Sequence, residues 1–257
     1  MATRWVLEGV RRFHIGTAGW PLPRHHRDRF PAGASNLARY AAHLNAAEIN
    51  TSFYRSHRHS IYARWAAAVP KDFRFAVKVP KTITHEQKLE RPGLLLDAFL
   101  DECGTLGSKL GPLLVQLPGK QPLVLRTVRI FFRVLRKRFD GPVVCEPRNP
   151  AWFTPEIETM LKDYGVSRVA ADPARVPEAA EPGGDPSIAY FRWHGSPNIY
   201  ISNYDDDRLT ALAAKMRKLK ARDVWCIFDN TMSGSATGNA LRLRELLGRG
   251  QRDDVPF

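Results

Sequence analysis

The 257-residue sequence lacks a long apolar run and has only three cysteines. Residues 1–10 carry charged side chains and no apolar stretch, so we expect neither a secretory signal nor a membrane span. Cys103, Cys145 and Cys226 are too scattered for a disulfide framework or a zinc site. These scarcities favour a cytoplasmic protein with reduced, buried cysteines and no membrane partner.

Acidic residues are also scarce, since 26 Asp and Glu face 39 Lys and Arg for a formal net charge of +13. Such a charge permits attraction to nucleic acid, anionic metabolites or acidic proteins, and does not choose among them. Many of the cations fall at 133–138 and 215–222, where they are typical of solvent-exposed helix faces.

Short β-branched or aromatic segments alternate with helical patterns along the chain. The eight strand-like segments are 13–17, 46–50, 73–79, 113–117, 143–148, 169–172, 188–194 and 224–230. Apolar residues recur at helical spacing in 37–44, 61–68, 94–106, 124–135, 155–164, 208–219 and 236–247. This alternation, at this length, predicts a single (β/α)₈ TIM barrel. We expect one domain over 1–257, with flexible ends at 1–11 and 249–257.

One connection departs from the alternation. Residues 173–187 contain four prolines and the pair Gly183–Gly184, which exclude a regular helix. We therefore expect a helix-less loop over the barrel mouth between strands 6 and 7.

Polar side chains close nearly every predicted strand, and the catalytic groups of such barrels lie at the carboxyl ends of the strands. The residues are Thr17, Glu48, Asn50, Lys78, Gln116, Glu146, Arg148, Asp172, Arg192, His194, Asp229 and Asn230. Residues two apart share a face of a strand, which pairs Glu48 with Asn50, Glu146 with Arg148 and Arg192 with His194. The pattern predicts a polar pocket at the mouth. The alternative is a set of structural ion pairs between Glu48, Glu146 and Asp172 and the cations Lys78, Arg148 and Arg192.

Several motifs in these segments resemble the DUF72 (YecE-like) family along nearly the whole chain. They are IGTAGW at 15–20, EINTSFY at 48–54, FAVKVP at 75–80, ITH at 83–85, GP at 111–112, QLP at 116–118, EPR at 146–148, RWHG at 192–195 and FDN at 228–230. The resemblance implies a TIM barrel and no established activity. Two positions depart from the family pattern: Ala18 stands where serine is usual, and Asp229 stands where asparagine is common.

The polar residues divide into two candidate groups. The candidate catalytic residues are Glu48, Lys78, Glu146, Asp172 and His194, and the candidate substrate-binding residues are Asn50, Tyr54, His85, Gln116, Arg148, Arg192 and Asn230. Lys78 could anchor a phosphate or carboxylate as a permanent cation, or act as a desolvated amine that forms a Schiff base. A divalent metal on Glu48, Glu146, Asp172 and His194 and a glycosidase pair of Glu48 and Glu146 both stay open. The sequence carries no organic cofactor motif.

Three functions follow from these residues. The first is an enzyme acting on a small anionic or phosphorylated ligand, such as a hydrolase or lyase. The second is a nucleic-acid-binding or nucleic-acid-processing barrel, which the charge favours. The third is a non-catalytic module that binds a small ligand. The sequence gives no oligomeric state.

Overall fold

A computed structural model describes residues 11–249 of the chain, except the side chain of residue 249. The predicted flexible ends, 1–11 and 249–257, therefore lie outside the described residues but for their inner limits. Ten strands form one sheet. They are β1 Arg12–Ala18, β2 Ala46–Ile49, β3 Arg74–Lys78, β4 Leu110–Gln116, β5 Val143–Glu146, β6 Val166–Arg168, β7 Ala170–Asp172, β8 Gly183–Gly184, β9 Ile188–Trp193 and β10 Asp223–Phe228.

The sheet is a nearly closed barrel. Its order is β7-β9-β10-β1-β2-β3-β4-β5-β6-β8, and every neighbouring pair except β6 with β8 is parallel. β6 and β7 are two parts of one chain segment separated by Val169, with β6 paired to β5 and β7 paired to β9. This segment closes the barrel as one interrupted strand. With β6 and β7 counted together and the antiparallel β8 left out, the barrel has eight strands, and the prediction of an eight-stranded TIM barrel is confirmed.

Helices cover the outside of the sheet where the sequence patterns predict them. They are α1 Asn36–Ala41, α2 His59–Ala67, α3 Gly93–Gly104, α4 Leu125–Arg136, α5 Pro155–Asp163, α6 Asp206–Lys218 and α7 Ser235–Arg249. Thr154 caps α5 by accepting a hydrogen bond from the Ile157 amide, with a proline in the first turn. Between residues 11 and 249, none of these helices has both the length and the apolarity that crossing a membrane requires.

The connection 173–187 follows a different course from the one expected. It contains a 3₁₀ helix at Pro177–Ala180, and β8 then pairs antiparallel with β6. An antiparallel strand runs back toward the amino ends of the parallel strands, so this part of the loop lies beside the barrel rather than over its mouth. At Gly184 the φ angle is +64°, and a Cβ would lie 2.4 Å from the Val166 carbonyl oxygen, so glycine is needed there.

The lower part of the barrel interior is filled by apolar side chains. They are Ala46, Ala76, Leu114, Val144, Val169, Ile188, Tyr190, Trp225 and Ile227. The Trp225 indole stacks on Tyr190 and on His14, with ring centroids 5.9 and 4.4 Å apart. A second, larger cluster packs the outer face of the sheet against the helices. Because apolar side chains fill the middle of the interior, the polar groups that follow them along the strands lie at the mouth of the barrel.

Candidate functional site

The polar layer continues the inward alternation of the strands by one step toward their carboxyl ends. Residues two positions after the interior apolar side chains face the same way. They are Glu48 after Ala46, Lys78 after Ala76, Gln116 after Leu114, Glu146 after Val144, Arg192 after Tyr190 and Asp229 after Ile227. With Arg148 and His194, which follow their strands, the charged members form a group that we call the mouth cluster: Glu48, Lys78, Glu146, Arg148, Arg192, His194 and Asp229.

Arg192 is the centre of the mouth cluster. Its Nε and Nη2 donate to the two carboxylate oxygens of Glu48 at 3.0 and 2.8 Å. Nη1 lies 3.1 Å from Glu146 Oε2, and Nη2 lies 3.0 Å from Asp229 Oδ2. Burial lowers the pKa of this guanidinium, but the three carboxylates outweigh burial and hold it well above its usual value. Its donors are committed to protein groups, so Arg192 orders the cluster and does not offer itself to a ligand.

His194 bridges two of these carboxylates. Its Nε2 lies 2.9 Å from Glu146 Oε1, and its Nδ1 lies 3.0 Å from Asp229 Oδ2. Ionised carboxylates only accept hydrogen bonds, so both ring nitrogens donate and the ring is an imidazolium. Desolvation lowers the pKa of His194, but Glu146 and the hydrogen bonds to both carboxylates raise it above its usual value.

Glu146 is contacted by three cations. Besides Arg192 and His194, Arg148 reaches its Oε1 from Nε and Nη2 at 3.1 Å each. Burial raises the pKa of Glu146, but these cations outweigh burial and hold it well below its usual value. A glycosidase needs an acid with a raised pKa. Because Glu48 and Glu146 instead bind one guanidinium, the geometry does not support the glycosidase pair.

Lys78 differs from the other cations of the cluster. Its side chain is only 5% exposed, and its Nζ lies 4.0 Å from the centroid of the Phe53 ring. Among residues 11–249, no hydrogen bond or ion pair holds this amine, and the contact it makes is with the face of Phe53. Desolvation first, and the charge of Arg192 second, lower the pKa of Lys78 to about 8 against the opposing pull of the carboxylates.

The other predicted binding residues lie around the mouth cluster, some of them buried and some exposed on the rim. The His85 ring packs edge-on against Phe53 with centroids 4.9 Å apart, and its Nδ1 lies 2.9 Å from Thr84 Oγ1. Tyr54 lies on the rim and is 66% exposed. The buried Oδ1 of Asn50 has no hydrogen-bond partner among the described residues. Gln116 lies beside Glu146 on the neighbouring strand and donates to the Leu117 carbonyl oxygen at 2.9 Å.

Asp172 does not join the mouth cluster, contrary to expectation. Ala170 belongs to the outer apolar cluster, so Asp172, two residues later, also faces outward. Its carboxylate accepts from the Tyr204 hydroxyl at 2.6 Å and from Arg208 Nη2 at 2.8 Å. It therefore tethers the segment after β9 instead of neutralising Arg192.

Asn230 also faces away from the mouth, and its neighbour takes the inward place. Asn230 Nδ2 donates to the Ser202 carbonyl oxygen and to Asn239 Oδ1, both at 2.8 Å. Asp229 instead follows the inward side chains Trp225 and Ile227 and reaches the cluster. The sequence itself indicates this arrangement, because the alternation of inward side chains along β10 places Asp229, and not Asn230, in the interior.

Tyr200 is a further residue at the mouth that sequence reasoning missed. It is a non-glycine residue with a φ of +69°. This conformation costs energy and persists only where the surrounding structure holds it. Its ring lies edge-on to His194 with centroids 6.1 Å apart, and its side chain lies near Arg148. Its carbonyl oxygen accepts from the Met232 amide at 3.0 Å, which joins the loops after β9 and β10.

The four predicted metal ligands do not converge on one point, because Asp172 faces outward and Glu48, Glu146 and His194 bind other protein groups. Arg192 lies among the carboxylates of Glu48, Glu146 and Asp229, and His194 donates to two of them. Between residues 11 and 249, no three His, Cys, Asp or Glu side chains form a group arranged to hold a metal ion. These residues thus do not fit the metal site that their types suggested.

Comparisons with known proteins agree with the fold. A family profile described as "Protein of unknown function DUF72" matches residues 14–256. The UPF0759 protein YecE of Escherichia coli K12 is 33% identical over 175 residues, which are 66% of this chain and 62% of that protein, so this match spans less than two thirds of the relative. The UPF0759 protein YunF of Bacillus subtilis is 24% identical over 268 residues, covering 91% of this chain and 94% of its own.

Two solved structures share the whole architecture. A DUF72 family protein from Enterococcus faecalis is 25% identical, with a TM-score of 0.79 and coverage of 92% of this chain and 96% of its own. A DUF72 family protein from Thermotoga maritima is 22% identical, with a TM-score of 0.76 and coverage of 92% and 99%. The latter likeness concerns the fold alone. The family profile covers nearly the whole sequence, and the chain belongs to the DUF72 family.

Proposed function

We propose that the chain is an enzyme that binds a small anionic or phosphorylated substrate at the carboxyl-end mouth of its barrel. The observation that carries this proposal is the Lys78 amine, which is nearly buried, lies over the Phe53 ring and has no hydrogen-bond or ion-pair partner among the described residues. Buried charges in proteins are almost always paired, so an unpaired amine at the mouth is a place for an anion.

The charge of the mouth cluster supports an anionic ligand. Three carboxylates, Glu48, Glu146 and Asp229, face the cations Lys78, Arg148, Arg192 and His194. With all four cations protonated, the cluster carries one positive charge in excess. An anion would neutralise that charge in a site from which water is largely excluded, where electrostatic attraction is strong.

The role of each cation in the cluster follows from whether its hydrogen-bond donors are free. Lys78 and Arg148 would contact the anion, since Arg148 is 24% exposed at its side chain and has more donors than Glu146 uses. Arg192 would act as a positioning residue because carboxylates hold its donors. Lys78 and His85 would move protons, since burial and nearby cations lower the pKa of both.

The test is calorimetric titration with inorganic phosphate, fructose 6-phosphate and AMP at constant ionic strength. We expect Lys78→Met and Arg148→Met to weaken binding by tenfold or more, because a charge-assisted hydrogen bond is worth about 1.5 to 3 kcal/mol. The matched control is Lys120→Met, which removes an exposed amine. Equal affinities in all four proteins would contradict the site. Saturable binding without turnover of any ligand would support a non-catalytic module instead.

A nucleic acid is the second candidate ligand, and the rim favours it. Tyr54 is 66% exposed, and the neighbouring Arg55 and Arg58 are exposed as well. Exposed aromatic rings beside cations suit an unpaired base and its phosphates. The discriminating measurement is binding of a short single-stranded oligonucleotide at 50 and 200 mM salt. A steep loss of affinity with salt, together with a loss in Tyr54→Ala but not in Lys78→Met, would favour this candidate.

We also propose the cytoplasm as the location of the protein. Cys103, Cys145 and Cys226 are all unpaired and buried. Burial raises the pKa of all three thiols, which keeps them protonated and unreactive. Thiols of this kind are typical of a reducing compartment.

A further inference from the structure

The surroundings of Lys78 are unusual for an anchoring lysine. Three carboxylates lie in the same layer, yet Arg192, Arg148 and His194 take their oxygens and leave the lysine amine unpaired. The amine instead lies over the face of Phe53, with Ala76 next inward along the same strand. Burial lowers the pKa of this amine although the Phe53 face and the carboxylates favour its charged form, and the neutral amine is a nucleophile.

We propose that Lys78 condenses with a carbonyl group of the substrate to form a protonated imine, so that the substrate class is anionic aldehydes and ketones such as oxo acids and sugar phosphates. This inference rests on the proposed function, because Arg148 would hold the anionic group of the substrate and so position its carbonyl group at Lys78. It adds a covalent step that anion binding alone does not require.

The step balances without a co-reactant. The lone pair of the neutral amine attacks the carbonyl carbon, a C–N bond forms, and the carbonyl oxygen takes up a proton to give a carbinolamine. The nitrogen loses one proton, its lone pair then forms the C=N bond, and the hydroxyl takes a second proton and leaves as water. Overall, one ammonium group and one carbonyl give one iminium ion and one water molecule.

His85 is placed to carry these protons. Its ring packs on the same Phe53 ring that lies under Lys78 Nζ. Its Nδ1 is engaged by Thr84, and its Nε2 has no hydrogen-bond partner among residues 11–249. Desolvation first, and the charges of Lys78 and Arg148 next, lower the pKa of His85, so the imidazole is neutral at pH 7 and can accept a proton.

The carboxylates of the mouth cluster would favour the product. Glu48, Glu146 and Asp229 all act on the charge at the Lys78 nitrogen. The protonated imine carries its positive charge on this nitrogen, whereas the amine that attacks the carbonyl is neutral. The cluster therefore stabilises the iminium ion electrostatically without a direct ion pair.

The experiment is reductive trapping. The intact protein is incubated with pyruvate or dihydroxyacetone phosphate and sodium borohydride, and the adduct is located by peptide mass spectrometry. We expect one reduced adduct on the peptide that contains Lys78, absent in Lys78→Arg and retained in Lys120→Arg. In His85→Gln we expect the same adduct at a rate at least tenfold lower. Unfolding curves of each variant show whether it is folded.

The outcomes separate the two proposals. Calorimetric binding of phosphate at Lys78 without a borohydride adduct overturns the imine and leaves the anion site intact. An adduct spread over exposed lysines in wild type and Lys78→Arg alike also overturns the imine. Failure of both phosphate binding and trapping overturns the proposed function together with this inference.

Discussion

Arg192 and Glu48 form a bidentate ion pair at the top of the barrel interior, with Nη2–Oε1 and Nε–Oε2 distances of 2.8 and 3.0 Å. Both side chains are at most 1% exposed. The pair joins β9 to β2 across the barrel, since these strands are not neighbours in the sheet. Glu146 and Asp229 bind the same guanidinium, so one side chain fixes three carboxylates.

Removing Arg192 is expected to destabilise the fold strongly. Arg192→Ala leaves three buried carboxylates without their shared cation, and breaking a buried pair costs about 3 to 5 kcal/mol. Urea denaturation measures the change. The control is Arg29→Ala, whose ion pair with Glu245 is 45% exposed on both sides and should contribute at most about 1 kcal/mol. Similar losses in the two variants would contradict the central role of Arg192.

The stability contributed by His194 should fall as the pH rises. A raised pKa in the folded state means that the contribution is complete below the unfolded value of about 6.5 and is lost as the pH rises through the folded pKa. In Asp229→Asn the imidazolium loses one carboxylate, so its pKa moves toward 6.5. Between pH 6 and 8, wild type should therefore lose stability relative to this variant. The same pH dependence in both proteins would contradict the assignment.

Lys78 is expected to have the opposite effect. Because the pKa of its amine is lowered from 10.5 to about 8, the unfolded chain binds more protons than the folded chain between these values, and stability rises with pH across that window. Lys78→Met should therefore be more stable than wild type at pH 7 by up to about 3 kcal/mol, since one pKa unit corresponds to about 1.4 kcal/mol. Urea denaturation at pH 7, 8.5 and 10 should show the difference narrowing. A constant difference, as expected for Lys120→Met, would mean that the amine is not desolvated.

Replacing Asp172 should affect a loop and spare the ligand site. In Asp172→Asn the hydrogen bond from Tyr204 and the ion pair with Arg208 weaken, so amides between 195 and 204 should exchange their hydrogens faster. Phosphate affinity should stay within about twofold of wild type, since less than 0.5 kcal/mol is at stake. A tenfold loss would return Asp172 to the binding site.

The barrel could be predicted from sequence because its signals are local and repeated. Eight apolar segments separated by amphipathic helices fix the strand count, and parallel connection fixes the edge where the strand ends meet. The loop at 173–187 was misplaced because its proline and glycine content excludes a helix without saying on which side of the barrel the chain runs. Its course depends on the pairing of β8 with β6, which is a tertiary contact.

The site could be predicted in part. The two wrong predictions, Asp172 and Asn230, have one physical origin, which is the direction in which each side chain points from its strand. Alternation within a strand, anchored to the apolar side chains of the interior, selects Glu48, Lys78 and Glu146 as inward residues. The same rule excludes Asp172 and replaces Asn230 with Asp229. What sequence could not show is which acid binds which cation, because the guanidinium of Arg192 reaches across the barrel to carboxylates on three other strands.

The most direct test of the anion site is an NMR titration of the Lys78 side chain in protein with ¹³C-labelled lysine, with and without inorganic phosphate. We expect a Lys78 pKa of about 8 in the free protein and a clear rise when phosphate binds, because an anion beside the amine stabilises its charged form. A pKa near the 10.5 of a solvated lysine, unchanged by phosphate, would contradict a desolvated Lys78 amine that binds an anionic ligand.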